Sequence, residues 1–337
     1  MKKKLLLAIA LSCGLYLQAQ TTPLWGKQDV YLASQSERTF QLVNEILSLK
    51  ENQPSAKSPT LARKSALFLL DGVLHDTRLD GIPAITKFIE GRYEKMLEDM
   101  KMPVKKGLKI YKLYNDGFVV KSKSVTVAYD LYRGVAMKET PTLVSDEMMR
   151  KIVDLCDIMF LSHNHGDHVD QAVVQMFTDS GKPVVAPTNV LKDNEKVTHV
   201  REEQIVNKNY MANGSELRVT ILPGHQDKMM NNIYVVTTPE GYTFAQTGDQ
   251  WNKEDFLWLK GVRSQIPSMD VLLINCWAYN LPETIDGFSP KMVITGHENE
   301  LGHTIDHREA YWLSYDKLAK VRQSNCLMTW GECYWYR

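Results

Sequence analysis

The feature that most constrains this chain is a crowded run, His163-Asn164-His165-Gly166-Asp167-His168, entered directly from the short apolar segment Asp157-Ile158-Met159-Phe160-Leu161. Three of the nine histidines fall within these six residues, a density that surface chance does not explain. A brief apolar run of this kind reads as a buried strand. Along extended chain the side-chain period is two, so His163 and His165 share a side. The following turn lets Asp167 and His168 fold back toward a second point. Imidazole and carboxylate donors suit zinc, and a catalytic zinc site keeps one position open for water. Manganese or iron would also accept these donors. Two donor points a few ångström apart suit two ions that share a water. The fold must therefore deliver more donors to the same place from other strands.

Three residues meet that demand. His225 follows a strand expected at 217–222, in Leu-Pro-Gly-His; Asp249 follows one at 242–246, in Gln-Thr-Gly-Asp; and His297 follows one at 291–295, in Thr-Gly-His. Each has a glycine before it at a strand exit, the usual mounting for ligands carried on loops by rigid elements. His303, in Glu298-Asn-Glu-Leu-Gly-His303, is the rival to His297 and a candidate for substrate contact. His75, His199 and His307 read as ordinary helix or loop histidines.

The rest of the pattern alternates strands with helices. Apolar spacing predicts helices over 34–49, 60–75 and 83–100, which makes residues 20–106 a mostly helical N-terminal region. From Gly107 the pattern changes. Strands are expected at 108–114, 118–120, 124–129 and 157–161, with Asn115-Asp116-Gly117 as a hairpin turn. Helices are expected at 145–156, 170–179 and 307–321. Further strands fall at 183–186, 232–238 and 270–275, and 326–336 reads as a final strand. Such a sequence suits an α/β (α+β) αββα sandwich, two sheets covered by helices, over 107–337.

The ordered set His-x-His-x-Asp-His, then a strand-end His, a strand-end Asp and a strand-end His, resembles the metallo-β-lactamase superfamily over roughly residues 107–300. Pro223-Gly224-His225 with Asn231-Asn232-Ile233-Tyr234 resembles more loosely the branch of N-acyl phosphatidylethanolamine-hydrolysing phospholipase D and ascorbate-6-phosphate lactonase. The resemblance implies a metallo-β-lactamase sandwich with a helical N-terminal extension. It implies two ions, one held by His163, His165 and His225, the other by Asp167, His168 and His297, with Asp249 bridging. The expected chemistry is hydrolysis by hydroxide generated on the paired ions, with Asp167 also orienting the water and shuttling its proton. An ester, lactone, amide or phosphodiester of a small molecule or lipid is the expected substrate. Trp251, Trp277, Tyr279 and Trp330 are available either to wall a pocket or to pack the core.

Two other classes bear weighing. A catalytically inactive metal-binding scaffold is disfavoured because a full dinuclear ligand set is present, whereas structural zinc sites are closed and four-coordinate. A nucleic-acid-processing enzyme is disfavoured by the balance of 40 basic against 40 acidic residues and the lack of a basic stretch. The N-terminus bears on location. Lys2-Lys3-Lys4, the apolar Leu5–Leu17 and small Ala19 read as a signal peptide over 1–19, so an exported, periplasmic or extracellular protein is expected. The apolar run is short for a membrane anchor, and lipid attachment at Cys13 would use a poor lipobox. An oxidising compartment leaves room for one or two disulfides among Cys156, Cys276, Cys326 and Cys333; Cys326 and Cys333 are nearest in sequence, and buried thiols fit equally.

Overall fold

A computed structural model describes residues 24–76, 84–136, 140–201 and 203–337. The expected signal peptide over 1–19, Cys13 included, lies outside the described residues. No helix among the described residues is long and apolar enough to cross a membrane.

Two seven-stranded mixed sheets face each other. The first has the order β14-β1-β2-β3-β4-β5-β6, built from β1 (Leu108–Lys112), β2 (Phe118–Lys121), β3 (Thr126–Tyr129), β4 (Ile158–Phe160), β5 (Val184–Ala186), β6 (Val197–His199) and β14 (Cys333–Tyr336). The second has the order β13-β12-β11-β10-β9-β8-β7, from β7 (Val206–Ala212), β8 (Ser215–Gln226), β9 (Met229–Thr237), β10 (Thr243–Gln246), β11 (Val271–Asn275), β12 (Met292–Gly296) and β13 (Ser324–Cys326). Each sheet has an antiparallel part and a parallel part: β3 to β6 run parallel in the first, β10 to β13 in the second.

The pleat explains the layering. Ile110, Phe118, Val120, Ile158 and Phe160 point inward to meet Val219, Tyr234, Val236, Phe244, Leu273 and Ile294 between the sheets. Their alternates, such as Val119, Met159, Ile233, Val235, Leu272 and Val293, join the helices on the outer faces. Successive side chains leave a strand on opposite faces, so strands covered on both sides read as apolar throughout. The result is the expected αββα sandwich.

The N-terminal helices α1 (Gln28–Ser48), α2 (Leu61–Leu74) and α3 (Ala84–Lys101) match the apolar spacing. Thr60 caps α2 by accepting a hydrogen bond from the Arg63 N–H. These helices form no core of their own: Phe40, Val43, Leu67, Leu70, Phe88 and Tyr93 belong to one cluster with Tyr111, Leu113 and Val119 of the first sheet region. Buried Arg63 fastens them to the C-terminus by donating to both Glu332 carboxylate oxygens, at 2.8 and 2.7 Å.

Three expectations need correction. The stretch 326–336 is not one strand. β13 pairs with β12 and β14 with β1, in different sheets, with Gly331 (φ 77°) at the turn between them. This also separates Cys326 from Cys333, and all four described cysteines are free thiols. The strand expected at 217–222 continues to Gln226, so His225 lies inside β8 opposite Met230 rather than beyond its end. α4 (Asp146–Asp154) and α5 (Gln171–Asp179) lie within the expected helices, whereas β6 and β7, and the short helices α6 (Lys253–Leu259) and α7 (Leu281–Phe288), were not expected. The helix at 307–321 is only Tyr311–Leu318.

Candidate metal centre

The crossing from parallel to antiparallel pairing leaves strand ends of both sheets facing one another. β4 runs into Ser162 and His163. After it, hydrogen bonds from the N–H groups of His168 and Val169 to the His165 carbonyl close a turn that carries Asp167 and His168 back over the strand end. Asp249 stands beyond β10, and His297 beyond β12 with its backbone at φ 71°. Glycine before these residues is required by space. A Cβ at Gly296 would fall 1.7 Å from an Asp116 carboxylate oxygen, and one at Gly248 (φ 52°) 2.3 Å from the Ser162 Cβ.

Six of the seven expected ligands come together in two sets that share Asp249: Asp167, His168, Asp249 and His297 in one, and His163, His165 and Asp249 in the other. In the first set the His168 Nε2 lies 3.4 Å from Asp167 Oδ2 and 3.3 Å from Asp249 Oδ1. His297 Nε2 lies 3.3 and 3.4 Å from the same two oxygens. At zinc bond lengths of about 2.0–2.2 Å, donors at the corners of a tetrahedron stand about 3.3–3.6 Å apart. The other Asp249 oxygen, Oδ2, faces His163 Nε2 at 3.6 Å. The Nε2 atoms of His163 and His168 and the Oδ1 of Asp249 are buried without a hydrogen-bond partner. Buried polar atoms left open in this way are costly, and a cation at each set would satisfy them.

The charges agree. Burial opposes ionisation here, yet His297 and His168 hold the Asp249 carboxyl well below its usual range. Asp249 and Asp167 in turn outweigh burial to raise His168 and His297 well above theirs. Asp167 is likewise held low by His168 and His297 against its burial. His163 goes the other way: burial, helped by the neighbouring His168, pushes it down to about 3. The first set therefore draws positive charge, and a divalent ion would replace the protons of its imidazoles.

Supporting residues fix the donors. Asp130 (φ 43°) accepts from Ser162 N–H, Ser162 Oγ and Gln246 Nε2, and faces His168 Nδ1 at 3.0 Å. That carboxylate–imidazole arrangement leaves the His168 Nε2 lone pair for an ion. The Asn115 amide donates to Asp167 at 3.1 Å. The Asp249 N–H donates to Asn231, whose own amide donates to the Thr247 carbonyl. The helical region also contributes: the Tyr114 N–H, next to Asn115, donates to Tyr93 of α3, and Asn299, two residues past His297, donates to Asp71 of α2. Asp116 lies beneath the site, where burial and the charges of Asp249 and Asp130 push it up to about 7.

His225 is the seventh expected ligand, and it is not in either set. Its Nδ1 faces Asp255 and its Nε2 meets Arg201. His303 is not in the donor sets either; its ring stacks at 6.0 Å on that of His297. Trp277 stands edge-on to His297 at 5.3 Å, and Trp251 packs on Tyr279 at the half-open surface. Trp330 is fully buried against Tyr114, so it packs the core. His75 and His199 bond backbone carbonyls, and exposed His307 lies beside Asp306.

Sequence reasoning missed Asn115, Asp130, Arg201, Asn231, Gln246 and Asp255 as parts of the site. Asn115 and Asp130 had already been accounted for as turn and strand-end residues, Asn231 had been read only as part of the stretch that carries the looser resemblance, and Arg201, Gln246 and Asp255 carry no local signature.

No protein-family model matches the sequence, and no curated protein does. Solved structures do. A metallo hydrolase from the hyperthermophilic archaeon Ignicoccus hospitalis aligns over 69% of this chain and 99% of its own, at 14% identity and a TM-score of 0.50. A possible metal-dependent hydrolase from Veillonella parvula aligns over 68% of this chain and 99% of its own, at 12% identity and a TM-score of 0.50. These likenesses are of fold. A metallo-β-lactamase from Pontibacter korlensis aligns over 51% of this chain at 20% identity with a TM-score of 0.34, too loose to bear on the fold.

Proposed function

We propose that this chain is an exported metal-dependent hydrolase of the metallo-β-lactamase type, using two divalent ions, zinc foremost, on a small-molecule or lipid ester, lactone, amide or phosphodiester. The observation that carries this reading is Asp249, whose two oxygens diverge onto separate imidazole sets with unpartnered buried nitrogens. His168, His297 and Asp167 would hold one ion, and His163, His165 and His225 the other. Bound there, the ions supply Lewis acidity, which makes a water reactive at neutral pH and draws charge from the scissile oxygen.

The side chains supply the rest. Asp167 is the one carboxylate of the centre that reaches partial exposure, so it can orient an attacking water and take its proton. Asn115 fixes that carboxylate through its amide. Trp277, edge-on to His297, would give a substrate an apolar wall beside the centre. The lactone and phosphodiester branch indicated by the Pro-Gly-His stretch is the narrower form of the same proposal.

The test is a hydrolysis screen of zinc-loaded full-length protein against lactone, ester, β-lactam and phosphodiester probes, with and without chelator. Chelator-sensitive turnover of one class is expected. Two bound ions with no turnover of any probe would leave a metal-binding scaffold instead.

A further inference from the structure

His225 is built to ligate, yet its ligating atom is engaged. Its backbone N–H donates to Gln250 Oε1 at 3.0 Å, and its Nδ1 lies 3.2 and 3.1 Å from the two Asp255 oxygens. Buried Asp255 is itself pinned by the Gln250 amide at 3.0 Å and the Trp258 indole at 3.3 Å. A carboxylate at Nδ1 holds the proton there and leaves the lone pair on Nε2, the arrangement found behind metal-bound imidazoles. At that Nε2 stands Arg201 Nη2, 2.9 Å away. Guanidinium only donates, so Nε2 is the acceptor. Arg201 is otherwise held by two longer bonds to neutral acceptors, the Gly224 carbonyl at 3.3 Å and Asn232 Oδ1 at 3.2 Å.

An imidazole nitrogen has one lone pair, so a guanidinium and an ion cannot share it. His163 and His165 already converge with Asp249, while His225 stays outside that set. We propose that Arg201 is a displaceable guard on His225, so that the centre loads in two steps. The ion at Asp167, His168, Asp249 and His297 enters a site whose donors already stand together, where the group facing a donor nitrogen is the neutral Asn115 amide, 3.2 Å from His297 Nε2, and not a cation. The ion at His163 and His165 completes its shell only when Arg201 releases His225, and it binds more weakly because that hydrogen bond is lost and a cation stands beside it. This rests on the metal reading above, and it assigns Arg201 as a positioning residue.

The experiment is equilibrium dialysis of chelator-stripped, full-length protein against zinc, read by elemental analysis. Wild type is compared with Arg201→Ala, with Arg201→Met, which keeps an apolar stem if the alanine variant fails to fold, and with His225→Ala. Two ions of unequal affinity are expected in wild type. Arg201→Ala and Arg201→Met should tighten the weaker ion about tenfold, the worth of one hydrogen bond to a charged group, and leave the tighter one unchanged. His225→Ala should lose the weaker ion alone. Unchanged or weakened binding of the second ion in both Arg201 variants overturns the guard. No stoichiometric ion in wild type overturns the metal reading itself.

Discussion

The two halves of the centre share Asp249 and differ in readiness. On one side Asp167, His168, Asp249 and His297 stand at coordination spacing, with Asp130 behind His168 and Asn115 on Asp167. On the other, His163 and His165 are gathered but His225 is turned to Arg201. The first half is set by buried strand ends and by the helices behind them. The second depends on a long antiparallel pair, β8 and β9, and on a side chain that can leave. The two halves thus differ in how completely their expected donors are gathered.

The largest expected effect strikes what the halves have in common. Asp249→Ala should lose both ions and reduce hydrolysis to background; either ion surviving at full occupancy would break the picture of a shared carboxylate. Asp167→Ala should keep the fold and lower turnover by about 10²–10⁴-fold, the range for a positioned acid–base group. Equal rates in mutant and wild type would remove Asp167 from the chemistry.

Smaller effects should separate the halves. Asp130→Asn should weaken the assembled half by about 10–100-fold, and Asp255→Asn should do the same to the His225 half alone. Titrations in which both variants weaken the same ion would contradict the division. Acidity should separate them too. Because Asp249 and Asp167 raise His168 and His297 above the ordinary histidine value, those protons compete with the first ion, and its affinity should rise as pH rises through their range. His163, pushed down to about 3, is neutral throughout. The same linkage has a sign for folding. In stripped protein the raised histidines stabilise most below about pH 6.5 and lose that contribution as pH rises through their folded values. Thermal melts with chelator at pH 6 and 8 should show it, and metal-loaded protein should not.

How much of this was legible in the sequence follows from physical range. The His163–His168 run, its strand and the strand-end Asp249 and His297 could be read because period and turn chemistry are local. The N-terminal helices could be read from their apolar spacing, but not their attachment: Arg63 meets Glu332 across the whole chain. β7 was missed because its residues alternate between exposed and half-buried at a sheet edge, with little apolar content. The break in 326–336 was hidden because Leu327, Met328 and Trp330 after β13 continue the apolar character into Cys333–Tyr336 of β14, although the two strands belong to different sheets. Arg201 and Asp255 reach His225 from 24 and 30 residues away, a pairing that only the folded chain discloses.

The central claim is most directly tested by counting ions. Full-length protein, stripped, reloaded with zinc and freed of excess, should carry two ions per chain, and His225→Ala should carry one. Wild type with no stoichiometric zinc, or a His225→Ala variant that keeps both ions, would contradict the account.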